Sequence, residues 1–195
     1  MSVLLIAGSP TQHSRSAGLL HTVGRKLAAQ GIALDHVVVR DLHAQALLHA
    51  DFRHPDVLQA AAQVARAQVL VIATPVYKAA YSGVLKIWLD LLEQSALKGK
   101  TVLPLATGGS PHHMLALDYA LRPVLQSLGA KHILPGIYAT DAQVQLHVDG
   151  SADMAPELDQ RVSEAVHSLL SETLRPAPVA AHFAPVPFSQ VRCSV

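Results

Sequence analysis

Short apolar runs alternate along this sequence with segments whose apolar residues recur every three or four positions. Runs that stop at Gly or Thr-Pro are typical of strands buried on both faces of a parallel sheet. They predict five strands, at residues 3–7, 32–39, 69–73, 101–106 and within 132–139. The helical stripes predict five helices, at residues 19–27, 57–67, 84–92, 114–128 and 156–175. Five such units predict an α/β fold with a right-handed, doubly wound parallel sheet, and residues 41–54 are expected to form a long loop.

Composition excludes several other classes of protein. The 195 residues suffice for one domain, and no apolar run reaches the roughly 18–20 residues of a membrane helix. The N-terminus lacks the basic region of a signal peptide, so a cytoplasmic protein is expected. A net charge of +1 disfavours the strong electrostatic attraction that nucleic-acid binding needs, and the single cysteine, Cys193, excludes an internal disulfide and a Cys-based zinc site. We expect one domain over residues 1–175 and a flexible, Pro-rich tail over 176–195.

Ligands of doubly wound folds bind at the carboxyl ends of the strands, so three loops are candidates for a site. They span residues 8–16, 74–83 and 107–113. The sequence contains no Gly-x-Gly, no Gly-x-x-x-x-Gly-Lys and no Gly-x-Ser-x-Gly. A dinucleotide fingerprint, a P-loop and a hydrolase nucleophile elbow are therefore absent.

The first loop is rich in groups that bind phosphate. It carries four hydroxyls and one guanidinium at the start of a predicted helix, on Ser9, Thr11, Ser14, Arg15 and Ser16. Hydroxyls, a guanidinium and the N–H groups of a helix N-terminus suit a phosphate dianion. The alternative is an ordinary helix start that is capped by a serine.

The second and third loops offer backbone rather than charge. Pro75 fixes its own φ angle, and the residues after it can present backbone amides and an aromatic edge to a flat ring. The alternative is a structured turn in which Tyr77 and Tyr81 are half-buried. In the third loop, Gly108 and Gly109 give access to the backbone, unless they only form a tight turn.

Taken together, these segments resemble the flavodoxin-like NAD(P)H-dependent FMN reductases. The nearest resemblance is to the SsuE type, the reductase component of two-component alkanesulfonate monooxygenase systems. Three segments carry it: Gly8-Ser9-x-x-x-x-Ser14-Arg15-Ser16, Pro-Val-Tyr-Lys-Ala-Ala-Tyr-Ser-Gly at 75–83, and Thr107-Gly108-Gly109. It extends from residue 1 to about 175, and the central segment is its most specific part.

The resemblance implies a flavodoxin-like, five-stranded parallel sheet between helices and assigns roles to the loops. The first loop would bind the FMN phosphate, the second would lie against the isoalloxazine ring, and the third would close the other side of the ring. Many relatives have Arg where this chain has Thr11, which would leave the phosphate to Arg15 and the helix N-terminus. The residues implied to bind the cofactor are Ser9, Thr11, Ser14, Arg15, Ser16, Pro75, Val76, Tyr77, Lys78, Ser82, Gly83, Thr107, Gly108, Gly109, Ser110 and His113.

Pro123 predicts an irregular helix. It has no N–H to donate to the carbonyl of Tyr119, so the helix should be distorted around Asp118 and Tyr119, unless the proline only produces a kink. In SsuE-type reductases a tyrosine of the matching segment lies in a π-helical bulge at a tetramer interface. The resemblance gives Tyr119 this place and implies a homotetramer, with a homodimer as the alternative.

The implied activity is hydride transfer from NADPH to freely exchanging FMN. Reduced FMN would then pass to a flavin-dependent monooxygenase, and no side chain is needed for proton transfer. One alternative is a sibling that holds FMN tightly and reduces quinones, azo compounds or metal ions. Others are a flavodoxin-like electron carrier, which the charge of +1 disfavours, and a non-enzymatic binding module. The residues alone do not fix NADPH against NADH, FMN against FAD or riboflavin, or the sulfonate served.

Twelve histidines raise the question of a metal site. His43, His49 and His54 fall in the predicted long loop without an acidic or Cys cluster at ligand spacing, so no metal is expected. His113 is a candidate contact for flavin or nicotinamide, or a plain histidine at a helix start. Trp88 is expected in the core or at an interface.

Overall fold

The computed structural model describes residues 2–148 and 150–174, and the tail at 176–195 with Cys193 lies outside the described residues. Parallel strands form the central sheet in the order β2-β1-β3-β5-β6, which is the order of flavodoxin-like folds. The strands are β1 (Ser2–Ala7), β2 (Ala33–Val38), β3 (Val69–Tyr77), β4 (Ala80–Tyr81), β5 (Thr101–Gly108), β6 (His132–Ile133), β7 (Ile137–Thr140), β8 (Val144–Leu146) and β9 (Ala152–Met154).

Both faces of the central strands are buried, as their unbroken apolar runs predict. Side chains alternate across a strand, so Leu4 and Ile6 of β1 pack into one core while Val3 and Leu5 pack into the other. The parallel register of β1 with β3 pairs Leu5 with Val71, which repeats this alternation along the next strand. The apolar sequence thus specifies a sheet with a helical layer on each side.

The helical layers follow the apolar stripes. Helices α1 and α6 cover one face of the sheet, whereas α3, α4 and α5 cover the other. Trp88 of α4 is fully buried, which confirms its expected place in the core. The α-helices are α1 (Arg15–Ala28), α2 (Ala44–Leu48), α3 (Pro55–Arg66), α4 (Gly83–Leu89), α5 (Arg122–Ser127) and α6 (Pro156–Ser168).

The expected five-stranded sheet is confirmed in its topology but not in its strand count, since the sheet has seven strands. The fifth position is divided between β6 and β7, which pair with different parts of β5, and the short β4 pairs antiparallel with β3. The antiparallel β8–β9 hairpin was not predicted. The predicted loop at 41–54 contains α2, and α4 ends at Leu89 rather than near residue 92.

The predicted irregularity before Pro123 is confirmed. Residues Leu117–Leu121 form a π-helical segment, and the N–H of Arg122 donates to the carbonyl of Leu117, five residues earlier. Pro123 lies in the first turn of α5, where a missing N–H is tolerated. A second π-helical segment, Leu169–Thr173, continues α6 and was not predicted.

Among the described helices, none combines the length and the apolar character required to cross a bilayer.

Gly18 allows the β8–β9 hairpin to approach α1. A Cβ atom at this buried position would lie 2.5 Å from the Cβ of Ala152 in β9. Gly-to-Ala changes inside helices usually stabilise by about 1 kcal/mol, but overpacking of this kind costs about 1–3 kcal/mol. We therefore expect Gly18→Ala to lower the melting temperature by about 2–4 °C, measured by calorimetry. Gly83→Ala, where the added methyl meets open space, should not lower it, and an unchanged or higher value for Gly18→Ala would contradict the close contact.

Candidate functional site

The loops that follow β1, β3 and β5 meet at one edge of the sheet around an open cleft of about 200 Å³. The carboxyl ends of parallel strands share one edge, so loops that are far apart in sequence converge there. The residues that line the cleft are Thr11, His13, Ser14, Arg15, Pro75, Val76, Tyr77, Thr107, Gly108, Gly109, Asp141 and Leu146.

Nine of the residues implied by sequence line this cleft, and the others lie behind or beside it. Ser9, Ser16 and Ser82 are buried under the loops, while Lys78 is exposed at the tip of the β3–β4 hairpin. Gly83, Ser110 and His113 are outside the lining of the cleft and lie at or near helix starts.

Three lining residues were not predicted from the sequence. Asp141 directly follows β7 at the carboxyl edge, so its position after a strand was a usable signal. His13 lies within the first loop, but its residue type does not distinguish it. Leu146 belongs to the β8–β9 hairpin, which no sequence pattern indicated.

The first loop is organised by its own hydroxyls. Ser14 caps α1, because its Oγ accepts the N–H of Ala17 at 3.2 Å. The Oγ of the buried Ser9 accepts the N–H of Thr11 at 3.2 Å and lies 3.1 Å from the Thr11 hydroxyl. Ser14 and Ser16 place their hydroxyl oxygens 3.3 Å apart. The loop thus carries two pairs of hydroxyls at a helix N-terminus, where first-turn N–H groups lack helical partners.

Arg15 lies between the first loop and the β7 end of the sheet. Its Nε donates to the carbonyl of Val144 at 3.1 Å, and its Nη1 lies 3.6 Å from an Asp141 carboxylate oxygen. Both side chains of this ion pair are more than 40% exposed, so the pair orients the guanidinium more than it stabilises the fold. Arg15, which the sequence analysis expects to bind phosphate, therefore already has the Asp141 carboxylate beside its guanidinium.

Ser82 fixes the second loop against the first. Its hydroxyl donates to the carbonyl of Gly8 and accepts the N–H of Leu85 at 3.2 Å, while its backbone N–H donates to the Thr74 hydroxyl at 3.0 Å. Ser82 and Thr74 are almost fully buried. A Cβ at Gly8 would lie 2.9 Å from the Cβ of Leu85, so only glycine permits this approach of β1 to α4.

The tip of the second loop is a two-residue hairpin turn with left-handed backbone angles. Tyr77 pairs with Ala80, and the residues between them, Lys78 and Ala79, have φ angles of 49° and 63°. Positive φ at both central positions is the pattern of a type I′ turn, which favours Asn-Gly rather than Lys-Ala. The turn therefore holds Pro75 to Tyr77 at the cleft at the expense of backbone strain.

The third loop approaches the cleft through its glycines. A Cβ at Gly108 would lie 2.6 Å from the phenolic oxygen of Tyr138, whereas at Gly109 the nearest atom is 3.7 Å away. The hydroxyl of Tyr138 donates to the carbonyl of Ser110 at 2.6 Å. Burial, and after it the negative charge of Asp141, raises the pKa of Tyr138, so the phenol keeps its proton and remains a donor.

The cleft suits a ligand that has an anionic group at one end and a planar ring at the other. The hydroxyls and the α1 N-terminus form the polar end, and Pro75, Val76 and the two glycines form a wall with few side-chain obstructions. A wider apolar groove of about 380 Å³ lies between α3 and residues 91–96, but it lacks such converging polar groups. The described residues contain no group of three metal-ligating side chains.

Strand order and cleft together define a doubly wound α/β protein whose cleft, at the carboxyl edge of the sheet, has groups that suit a phosphate-bearing planar ligand. The profile of the family described as NADPH-dependent FMN reductase matches residues 1–145. This chain belongs to that family.

Individual relatives agree with this assignment. An FMN reductase (NADPH) of Pseudomonas putida is 45% identical over 183 residues, which cover 92% of each chain. An FMN reductase (NADPH) of Escherichia coli is 44% identical over 168 residues, covering 86% of this chain and 87% of that protein. The apo form of an NADH:FMN oxidoreductase (EMOB) is 37% identical, with a TM-score of 0.79, and covers 90% of this chain and 91% of that one.

The strain in the hairpin turn can be measured directly. We expect Ala79→Gly to stabilise the protein by about 0.5–1 kcal/mol, because glycine removes a left-handed penalty of about 1–2 kcal/mol but adds freedom to the unfolded chain. Ala62→Gly, the same exchange at an exposed position inside α3, should destabilise by about 0.5–1 kcal/mol. Urea denaturation measures both. Equal destabilisation by the two variants would mean that Ala79 is unstrained.

Proposed function

We propose that this protein oxidises NADPH and reduces FMN. The observation that carries the proposal is the single cleft that joins the hydroxyl-rich first loop to the flat wall of Pro75, Val76, Gly108 and Gly109. FMN combines a phosphate dianion with a planar ring, so its shape and charge match the two ends of the cleft.

The residues of the chain act by binding and orientation. The hydroxyl of Ser14 and the first N–H groups of α1 would donate to the phosphate. The backbone of Pro75 to Tyr77 and of Gly108 and Gly109 would hold the ring in one plane, against which the nicotinamide of NADPH would stack. When bound, the flavin supplies the hydride acceptor and NADPH the donor, so the reaction needs no acid or base from the protein.

The cleft favours a flavin that exchanges over one that stays bound. Asp141 lies beside Arg15 and offsets the charge that would otherwise attract a phosphate. Tyr77 is 48% exposed and the cleft opens to solvent, so little of the protein encloses a ligand there. Weak anion attraction and an open cleft both lower affinity, which is the property of a flavin substrate rather than of a resident cofactor.

A released reduced flavin requires an acceptor. Free reduced flavin reacts with oxygen without producing useful chemistry, so an enzyme that releases it works best beside a second enzyme that uses it. We place a flavin-dependent monooxygenase in this role, with alkanesulfonates as the proposed substrate class. The resemblance to SsuE-type reductases supports this assignment.

The activity is tested by NADPH oxidation at 340 nm, with and without added FMN. We expect the purified protein to be colourless, to turn over slowly alone, and to reach a saturating rate as FMN is added. NADH in place of NADPH tests the choice of nicotinamide. A yellow protein that is fully active without added FMN would favour the tightly bound sibling, and no oxidation under any condition would contradict the reductase assignment.

The π-helical segment offers a surface for self-association. Tyr119 is 79% exposed, and the nearby Met114 and Leu115 are 57% and 54% exposed. Large apolar side chains clustered at a surface are typical of interfaces. We propose that this surface joins copies of the chain into a homotetramer, in line with the place that the resemblance gives to Tyr119.

Removing the tyrosine side chain tests this assembly. We expect the unaltered protein to have the mass of a tetramer by light scattering, and Tyr119→Ala to reduce that mass by at least half, because the exposed ring is lost from the contact. Leu58→Ala removes another apolar side chain, 55% exposed on α3, and should leave the mass unchanged. A monomeric parent protein, or a tetramer that survives Tyr119→Ala, would contradict the proposed interface.

A further inference from the structure

A second arginine reaches the first loop from the side of β2. Arg40 belongs to the short helical turn Val39–Asp41, directly after β2. Its Nη1 donates to the carbonyl of Thr11 at 2.7 Å, in the middle of the hydroxyl-rich loop. None of the sequence patterns indicated this contact, because residues 11 and 40 lie on different βα units.

The side chain of Arg40 is held in place. Val39, its neighbour in the turn, is fully buried in the core, and the Arg40 side chain is only 26% exposed. Its Nε donates to a carboxylate oxygen of Asp41 at 3.0 Å. A guanidinium that is already fixed loses little conformational freedom when it binds an anion.

The short side chain of Thr11 leaves the loop open to this arginine. The Thr11 hydroxyl turns inward, 3.1 Å from the Ser9 hydroxyl and 3.4 Å from the carbonyl of His13. The guanidinium of Arg40 therefore reaches the loop backbone itself. A guanidinium has five N–H donors, and Arg40 uses two of them in the contacts found among the described residues.

The two arginines flank the loop from opposite directions. Arg15 is directed toward the far strands through Val144 and Asp141, whereas Arg40 comes from β2 at the other side. Asp141 lines the cleft beside Arg15, whereas Arg40 and its partner Asp41 lie behind the loop, outside the cleft lining, and the Asp41 side chain is 62% exposed to water. An ion pair with so exposed a carboxylate contributes little energy, so the guanidinium of Arg40 can still attract a further anion at the loop.

We propose that Arg40 contributes the positive charge that binds the flavin phosphate at this loop, and that it sets the preference for FMN over riboflavin. This inference rests on the proposed function and adds a binding residue to it. Guanidinium groups bind phosphate through paired, charge-assisted hydrogen bonds, which riboflavin cannot accept because it has no phosphate.

Flavin fluorescence quenching, which needs no turnover, tests the proposal on the full chain. We expect Arg40→Gln to raise the Kd for FMN about five- to tenfold and to leave the Kd for riboflavin within twofold. Gln removes the charge and keeps an amide donor on a shorter polar side chain. Arg40→Lys should stay within about threefold of the parent protein. Arg25→Gln, an exposed charge in the last two turns of α1, is the matched control and should change neither Kd.

Asp41→Asn gives a test in the opposite direction and removes only an exposed side chain. It should lower the Kd for FMN about two- to threefold, with no change for riboflavin. Equal weakening of both flavins by Arg40→Gln, or an unchanged Kd for FMN in either variant, would overturn the role of Arg40. A parent protein that neither binds FMN nor oxidises NADPH would instead contradict the proposed function, so the two failures are distinguishable.

Discussion

The geometry of the cleft depends on the hydrogen bonds of the buried Ser82. Its hydroxyl joins the carbonyl of Gly8 at the end of β1 to the N–H of Leu85 in α4, while the Ser82 N–H binds Thr74 near the end of β3. These groups have no access to water, so each would be left unpaired if the others moved, at about 1–3 kcal/mol for each lost partner. Ser82 therefore fixes the position of the hydroxyl-rich first loop relative to the wall of Pro75, Val76, Gly108 and Gly109, although Ser82 does not itself line the cleft.

This arrangement separates two tasks of the proposed flavin site. Charge and hydroxyl donors are gathered at the first loop, where a helix N-terminus adds to them. The opposite end is built from backbone, with Pro75 and two glycines in place of long side chains. Because the two ends lie on different strands, either can change without rebuilding the other.

The sequence predicted the layers of the fold better than its local irregularities. Continuous apolar runs mark buried strands, and the missing N–H of Pro123 correctly indicated the distortion that became the π-helical segment. The β8–β9 hairpin could not be predicted in this way, since three-residue strands have no measurable periodicity. The contact between Arg40 and Thr11 was equally hidden, because it forms only when β2 lies beside β1. The sequence was enough to place the loop residues at the carboxyl edge of the sheet. Their hydrogen-bond partners could not be predicted, because they depend on how far apart the elements lie in the folded chain.

The balance of charge around the first loop connects the structure to the proposed exchange of flavin. Each arginine at the loop has an acidic neighbour, Asp141 for Arg15 and Asp41 for Arg40. An anion must therefore compete with carboxylates that are already in place, and the net gain from each guanidinium is smaller than for an unpaired one. The pairing of both supports the proposal that the flavin is recognised by its phosphate, oriented by the backbone wall, and released after reduction.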